Sequence, residues 1–82
     1  MRLPRDVSGA QLASSLGRCG YERTRQTGSH LRLTAHHRGQ DHHVTVPRHA
    51  VLKVGTLNAI LLEVAAQLEL SKAELLELLF DG

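Results

Sequence analysis

Apolar positions recur along this chain in two rhythms, one helical and one alternating. Leu12, Ala13 and Leu16 share one helical face, behind a start signal in which Ser8 and Gln11 have capping-box spacing and Val7 and Leu12 form a hydrophobic staple. A helix is predicted over about Ser8–Arg18, weakened by Gly17 and ended by Gly20. Tyr21–Gln26 is charged but β-tolerant, and Thr27-Gly28 makes a turn before Ser29–Ala35, which alternates cleanly. Leu31, Leu33 and Ala35 then face a core, while His30, Arg32, Thr34 and His36 face away. Arg38-Gly39-Gln40-Asp41 reads as a four-residue loop and His42–Val46 as the returning strand, with Val44 and Val46 on the core side. That loop sets His37 opposite His42, His36 opposite His43, Thr34 opposite Thr45 and Leu33 opposite Val46. Continued past Pro47, the same register sets His30 opposite His49.

The second half is helical. Thr56 is the expected N-cap of a helix in which Leu57, Ile60, Leu61, Val64, Ala65 and Leu68 form one face, the strongest periodic signal in the chain. Gly55 frees the backbone to turn there, and the open amides of a helix start offer a secondary reading as a phosphate site. Ser71 and Glu74, flanked by Leu70 and Leu75, repeat the capping-box-and-staple signature, so a short last helix runs to about Leu79. Leu75, Leu76, Leu78, Leu79 and Phe80 exceed what one face of so short a helix buries. Either some pack on a second copy or a partner, or Phe80 folds back onto the core.

The expected architecture is α+β: a helix, a meander of three antiparallel strands, a long helix and a short one, in a single domain spanning residues 1–82. Such a chain is too small to enclose a large active site. Cys19 is the only cysteine, so no internal disulfide is expected, and it reads as a small buried apolar group. No apolar run approaches a membrane span, and Arg2-Leu3-Pro4-Arg5 after Met1 lacks a signal-peptide core, so a cytoplasmic protein without membrane contact is expected. Net charge is only +2, but residues 1–53 hold nine Lys or Arg against three acidic residues, and residues 54–82 hold one against five. The first part suits a polyanion; the second offers acidic helical surface to something else.

All six histidines lie between His30 and His49. The order and spacing of Gly20-Tyr21, Gly28-Ser29-His30, Val44-Thr45-Val46-Pro47-Arg48-His49 and Gly55-Thr56-Leu57 with Ile60-Leu61 resemble the HicA family of toxin ribonucleases, over almost the whole chain from the first helix onward. The resemblance implies a small fold similar to a double-stranded RNA-binding domain, with helices on one face of a three-stranded antiparallel sheet. It implies an endoribonuclease that cleaves mRNA, inhibits translation and is neutralised by a HicB-type antitoxin, and it places the catalytic histidine on His30. Ala50-Val51 follows His49 where family members often carry a proline.

The chemistry suits that position. RNA supplies its own nucleophile in the 2′-hydroxyl, so imidazole proton transfer and shielding of the phosphate charge suffice, and neither metal nor cofactor is called for. Arg32 or Arg48 would stabilise the phosphorane-like transition state, His49 is the second proton-transfer candidate, and Ser29 is a supporting neighbour. Arg23, Arg25, Arg32, Arg48 and Lys53 are the expected RNA contacts. His36, His37, His42 and His43 gather around the hairpin tip with Asp41, but alternation allows at most two to converge on each face, so they read as a basic rim or a solvated tip rather than a metal site. Two rivals remain open. A non-catalytic double-stranded RNA-binding module would use the basic surface and not need His30, and a partner-binding protein would use the apolar, acidic C-terminal end, as a homo-oligomer or a toxin–antitoxin hetero-oligomer.

Overall fold

A computed structural model describes residues 6–81; the Met1–Arg5 stretch weighed above lies outside the described residues. Helix α1 spans Gly9–Leu16, and both halves of its capping box form: Ser8 Oγ accepts from Gln11 N at 3.0 Å, and Gln11 Oε1 accepts from Ser8 N at 2.9 Å. Val7 and Leu12, the staple pair, are both buried. The α-helix stops two residues earlier than expected, because Gly17–Cys19 tighten into a 3-10 turn that Gly20 closes at φ +89°.

Strands β1 (Glu22–Gln26), β2 (His30–His37) and β3 (Gln40–Pro47) form an antiparallel sheet in the order β1-β2-β3. Leu31, Leu33, Ala35, Val44 and Val46 are buried on one face, as the alternation required. The loop between β2 and β3 corrects the expected one. It is a two-residue turn, Arg38 at φ +54° and Gly39 at φ +75°, the double-positive geometry that matches strand twist in a tight hairpin. Both strands therefore extend further, and every β3 partner shifts by two residues: Leu33 faces Val44, Thr34 faces His43, His36 faces Asp41 and His37 faces Gln40. His30 lies opposite Pro47, not His49.

Beyond Pro47 the chain is fastened by backbone hydrogen bonds to the start of α1. Gly9 N donates to His49 O at 2.9 Å and Leu52 N to Val7 O at 2.7 Å. Helix α2 then runs from Val54 to Leu68, starting before the expected cap; Lys53 occupies the N-cap without a side-chain bond, and Thr56 is inside the helix. Leu57, Ile60, Leu61, Val64 and Ala65 join the α1 and strand residues in one core. Gly55 sits in the first turn of α2, and a methyl group there meets open space. Gly55→Ala is therefore expected to stabilise the chain by about 0.5 kcal/mol through lower unfolded-state entropy, read as a higher denaturation midpoint.

Glu69 ends α2 in the left-handed region at φ +58°, and its carboxylate pairs with Arg38 of the hairpin turn. The hydrogen bond from Arg38, then its charge, holds the Glu69 carboxyl below the usual range. Helix α3 (Lys72–Leu76) carries its predicted capping box on Ser71 and Glu74, and passes into a π-helical turn over Glu77–Asp81 rather than continuing as α-helix. Leu75, Leu76 and Leu79 are buried within the chain and Phe80 packs half-buried against the same core, so most of the surplus apolar side chains find their place internally. Leu78 stays about half exposed. The result is the expected α+β architecture, helices on one sheet face and the other face open.

Candidate functional site on the open sheet face

The open face presents His30, Arg32, Thr34 and His36 from β2 and Asp41, His43 and Thr45 from β3. A depression of about 150 Å³ opens there, lined by Arg25, Thr27, His30, Arg32 and Thr45. A larger groove of about 590 Å³ runs between α1 and Phe80, but among the described residues its walls bear no imidazole and no cation. Of these two, the smaller one brings proton-transfer and anion-binding groups together among the described residues.

Two backbone hydrogen bonds position His30. Thr27 N donates to His30 O at 3.0 Å, closing the turn from β1, and Arg48 N donates to Ser29 O at 2.9 Å, extending the β2–β3 ladder by one step. Its Nδ1 lies 3.0 Å from Ser29 Oγ, and among the described residues its Nε2 has no hydrogen-bond partner. Arg32 pairs with Thr45 on one side and with Arg25 on the other. Among the described residues neither guanidinium forms an ion pair. The nearest acidic candidates on this face are otherwise placed: Glu22 lies opposite Thr34, and Asp41 is hydrogen-bonded to His36.

The other expected contacts are dispersed. Arg48 follows Pro47 and so has the opposite strand parity from His30 and Arg32, and it does not line the depression. His49 lies beyond the sheet, tied through its carbonyl to Gly9, and the cross-strand argument that set it beside His30 fails with the corrected register. Arg23 pairs with Leu33 on the helix-side parity, and Lys53 caps α2. Thr27 and Thr45 were not singled out from the sequence. Strand parity with Arg32 was the one available signal for Thr45.

The four hairpin histidines divide between the faces. On the open face His43 Nδ1 lies 2.8 Å from Thr34 Oγ1, which also meets Thr24 Oγ1 at 2.8 Å; this network is why Thr34 is buried on an otherwise exposed face. On the helix side Tyr21 stands between His37 and His42, its hydroxyl 2.8 Å from His42 Nδ1, while His37 Nε2 is enclosed without a partner. Among the described residues no three His, Cys, Asp or Glu side chains converge as a metal site requires.

Burial, with lesser contributions from Cys19 and Glu63, pushes the Tyr21 phenol up to about 12 from its ordinary 10.0. The folded state then favours the protonated phenol, so its contribution to stability is complete below about pH 10 and is lost as pH rises toward 12. Tyr21 is the only tyrosine and there is no tryptophan, so phenolate absorbance reads this group alone. The expected midpoint is near 12 in the folded chain, falling to the ordinary value in denaturant. Equal midpoints in the two states would contradict the buried placement.

The match to known proteins comes through the family model described as "HicA toxin of bacterial toxin-antitoxin", which covers residues 9–69 and so runs from the first residue of α1 to the left-handed end of α2. Comparison with curated proteins and with solved structures gave no match. No helix among the described residues is long and apolar enough to cross a membrane. With the matched span enclosing the whole sheet, helices α1 and α2 and every residue of the depression, the chain belongs to the HicA family, the toxin component of bacterial toxin–antitoxin systems.

Proposed function

We propose that this toxin is a metal-independent endoribonuclease that cleaves mRNA in the cytoplasm and so inhibits translation, with His30 as the proton-transfer group. The observation that carries the reading is the placement of His30 in a depression shared with Arg25 and Arg32, its Nδ1 occupied by Ser29. Nε2 takes the proton of a ribose 2′-hydroxyl as that oxygen attacks phosphorus. The P–O5′ bond breaks, the imidazolium returns the proton to the leaving oxygen, and the products are a 2′,3′-cyclic phosphate and a free 5′-hydroxyl. Atoms and charge balance with imidazole alone, and a guanidinium stabilises the extra negative charge on the pentacoordinate phosphorus.

The cognate antitoxin, of HicB type in this reading, silences the toxin by covering the same face. Acidic side chains are the chemistry that matches its unpaired arginines. The test is cleavage of a long single-stranded RNA in excess EDTA by the wild-type chain and by His30→Ala, both shown to be folded. Cutting by the first and not the second is expected. Equal cutting would remove His30 from the mechanism, and RNA binding with steep salt dependence but no cutting by either would favour a non-catalytic RNA-binding module.

A further inference from the structure

The β1–β2 ladder contains an irregularity that decides where one arginine goes. Arg23 pairs with Leu33, but the next pair is Arg25 with Arg32, so β1 spends an extra residue at Thr24. A regular ladder continued from Arg23 would set Thr24 opposite Arg32 and Arg25 opposite Leu31, on the parity of the helix-covered face. With the bulge, Arg25 shares the face of Arg32 and His30 and lines the depression with them. Thr24 itself is held there by its hydroxyl, 2.8 Å from Thr34 Oγ1.

Two arginines directly opposite each other across a strand pair repel, and no carboxylate among the described residues relieves either one. The arrangement costs the free protein stability, and an anion bound between the two guanidiniums reverses the sign. We propose that the bulge at Thr24 builds a two-guanidinium clamp from Arg25 and Arg32, which seats one phosphodiester group of RNA beside His30. Thr45 and Thr27 complete the wall. The inference rests on the nuclease reading for its catalytic consequence, but the anion site stands on geometry alone.

Three readouts on Arg25→Ala and Arg25→Lys test it. Inorganic phosphate is expected to raise the thermal midpoint of the wild type and not that of Arg25→Ala, whose ligand-free midpoint at low salt equals or exceeds the wild-type value. A 2′-O-methyl RNA, which lacks the nucleophile, is expected to bind Arg25→Ala about tenfold more weakly, because one charge-assisted contact is lost. Cleavage at saturating unmodified RNA should fall by roughly 10²-fold in Arg25→Ala. Arg25→Lys should recover binding but little of the rate, since an ammonium cannot present two parallel donors.

An Arg25→Ala chain that responds to phosphate and cleaves like the wild type would overturn the clamp. If the wild-type chain cuts no RNA at all, yet its phosphate response vanishes with Arg25→Ala, the clamp stands and the nuclease reading falls.

Discussion

His30→Ala is expected to reduce the single-turnover rate of RNA cleavage by about 10²–10⁴-fold, the range for removing a positioned acid–base group, while the fold is left intact. The separation of the two effects follows from where His30 sits. Its side chain is exposed on the open face, and its recorded polar contact is with the adjacent Ser29 Oγ. Its structural work is done by the backbone, through the carbonyl that accepts from Thr27 N, and alanine keeps that bond. Stability should therefore change by no more than about 0.5 kcal/mol. His49→Ala provides the contrast, because the corrected register takes it away from the depression. If His49→Ala loses as much activity as His30→Ala, the single-histidine mechanism has to be replaced by one that uses both.

Gly9→Ala is expected to produce the largest loss of stability among single-methyl additions to the described glycines. A β-carbon built there would overlap the Pro47 carbonyl oxygen, lie 2.9 Å from its carbon and 3.2 Å from Arg48 Cα. All three are backbone atoms, so no rotamer change can make room. The neighbouring contacts are also backbone: Gly9 N to His49 O and Leu52 N to Val7 O hold the entry of α1 against the strand-to-helix loop. Making space means separating the two segments, at a cost of about 1–3 kcal/mol or more. That corresponds to roughly 4–8 °C of thermal midpoint per kcal/mol for a domain of this size. Function should suffer beyond the fraction unfolded, because Pro47 is the strand partner of His30. Chemical and thermal melts of Gly9→Ala beside Gly55→Ala measure the contrast, since the second methyl group meets nothing. A Gly9→Ala chain as stable as the wild type would show that this junction yields freely.

The features readable from the chain are those whose causes are local. Both capping boxes formed on the predicted residues, because each joins groups three positions apart and needs no other part of the molecule. The faces of β2 and β3 were likewise readable, since alternation has a period of two. Pair identity was not. A four-residue loop and a two-residue turn preserve the same parity, so the hydrophobic pattern could not distinguish them, and an arginine at φ +54° before Gly39 is no turn signal. The early start of α2 at Val54 was hidden for a related reason: Lys53 caps it without a side-chain bond, so the residue type announces nothing.

The candidate site divides along the same line. His30 was legible through the Gly28-Ser29-His30 motif and its outward strand parity, and Arg32 through the same alternation. Arg25 reached the site only through the bulge, and His49 left it only through the register. Both depend on which backbone groups pair across strands, a choice made by packing the whole sheet against α1 and α2. By itself the sequence determined the elements, their buried faces and the histidine that leads the second strand. Tertiary structure decided which cations stand beside that histidine, because hydrogen bonding between distant segments, unlike capping and periodicity, has no local signature.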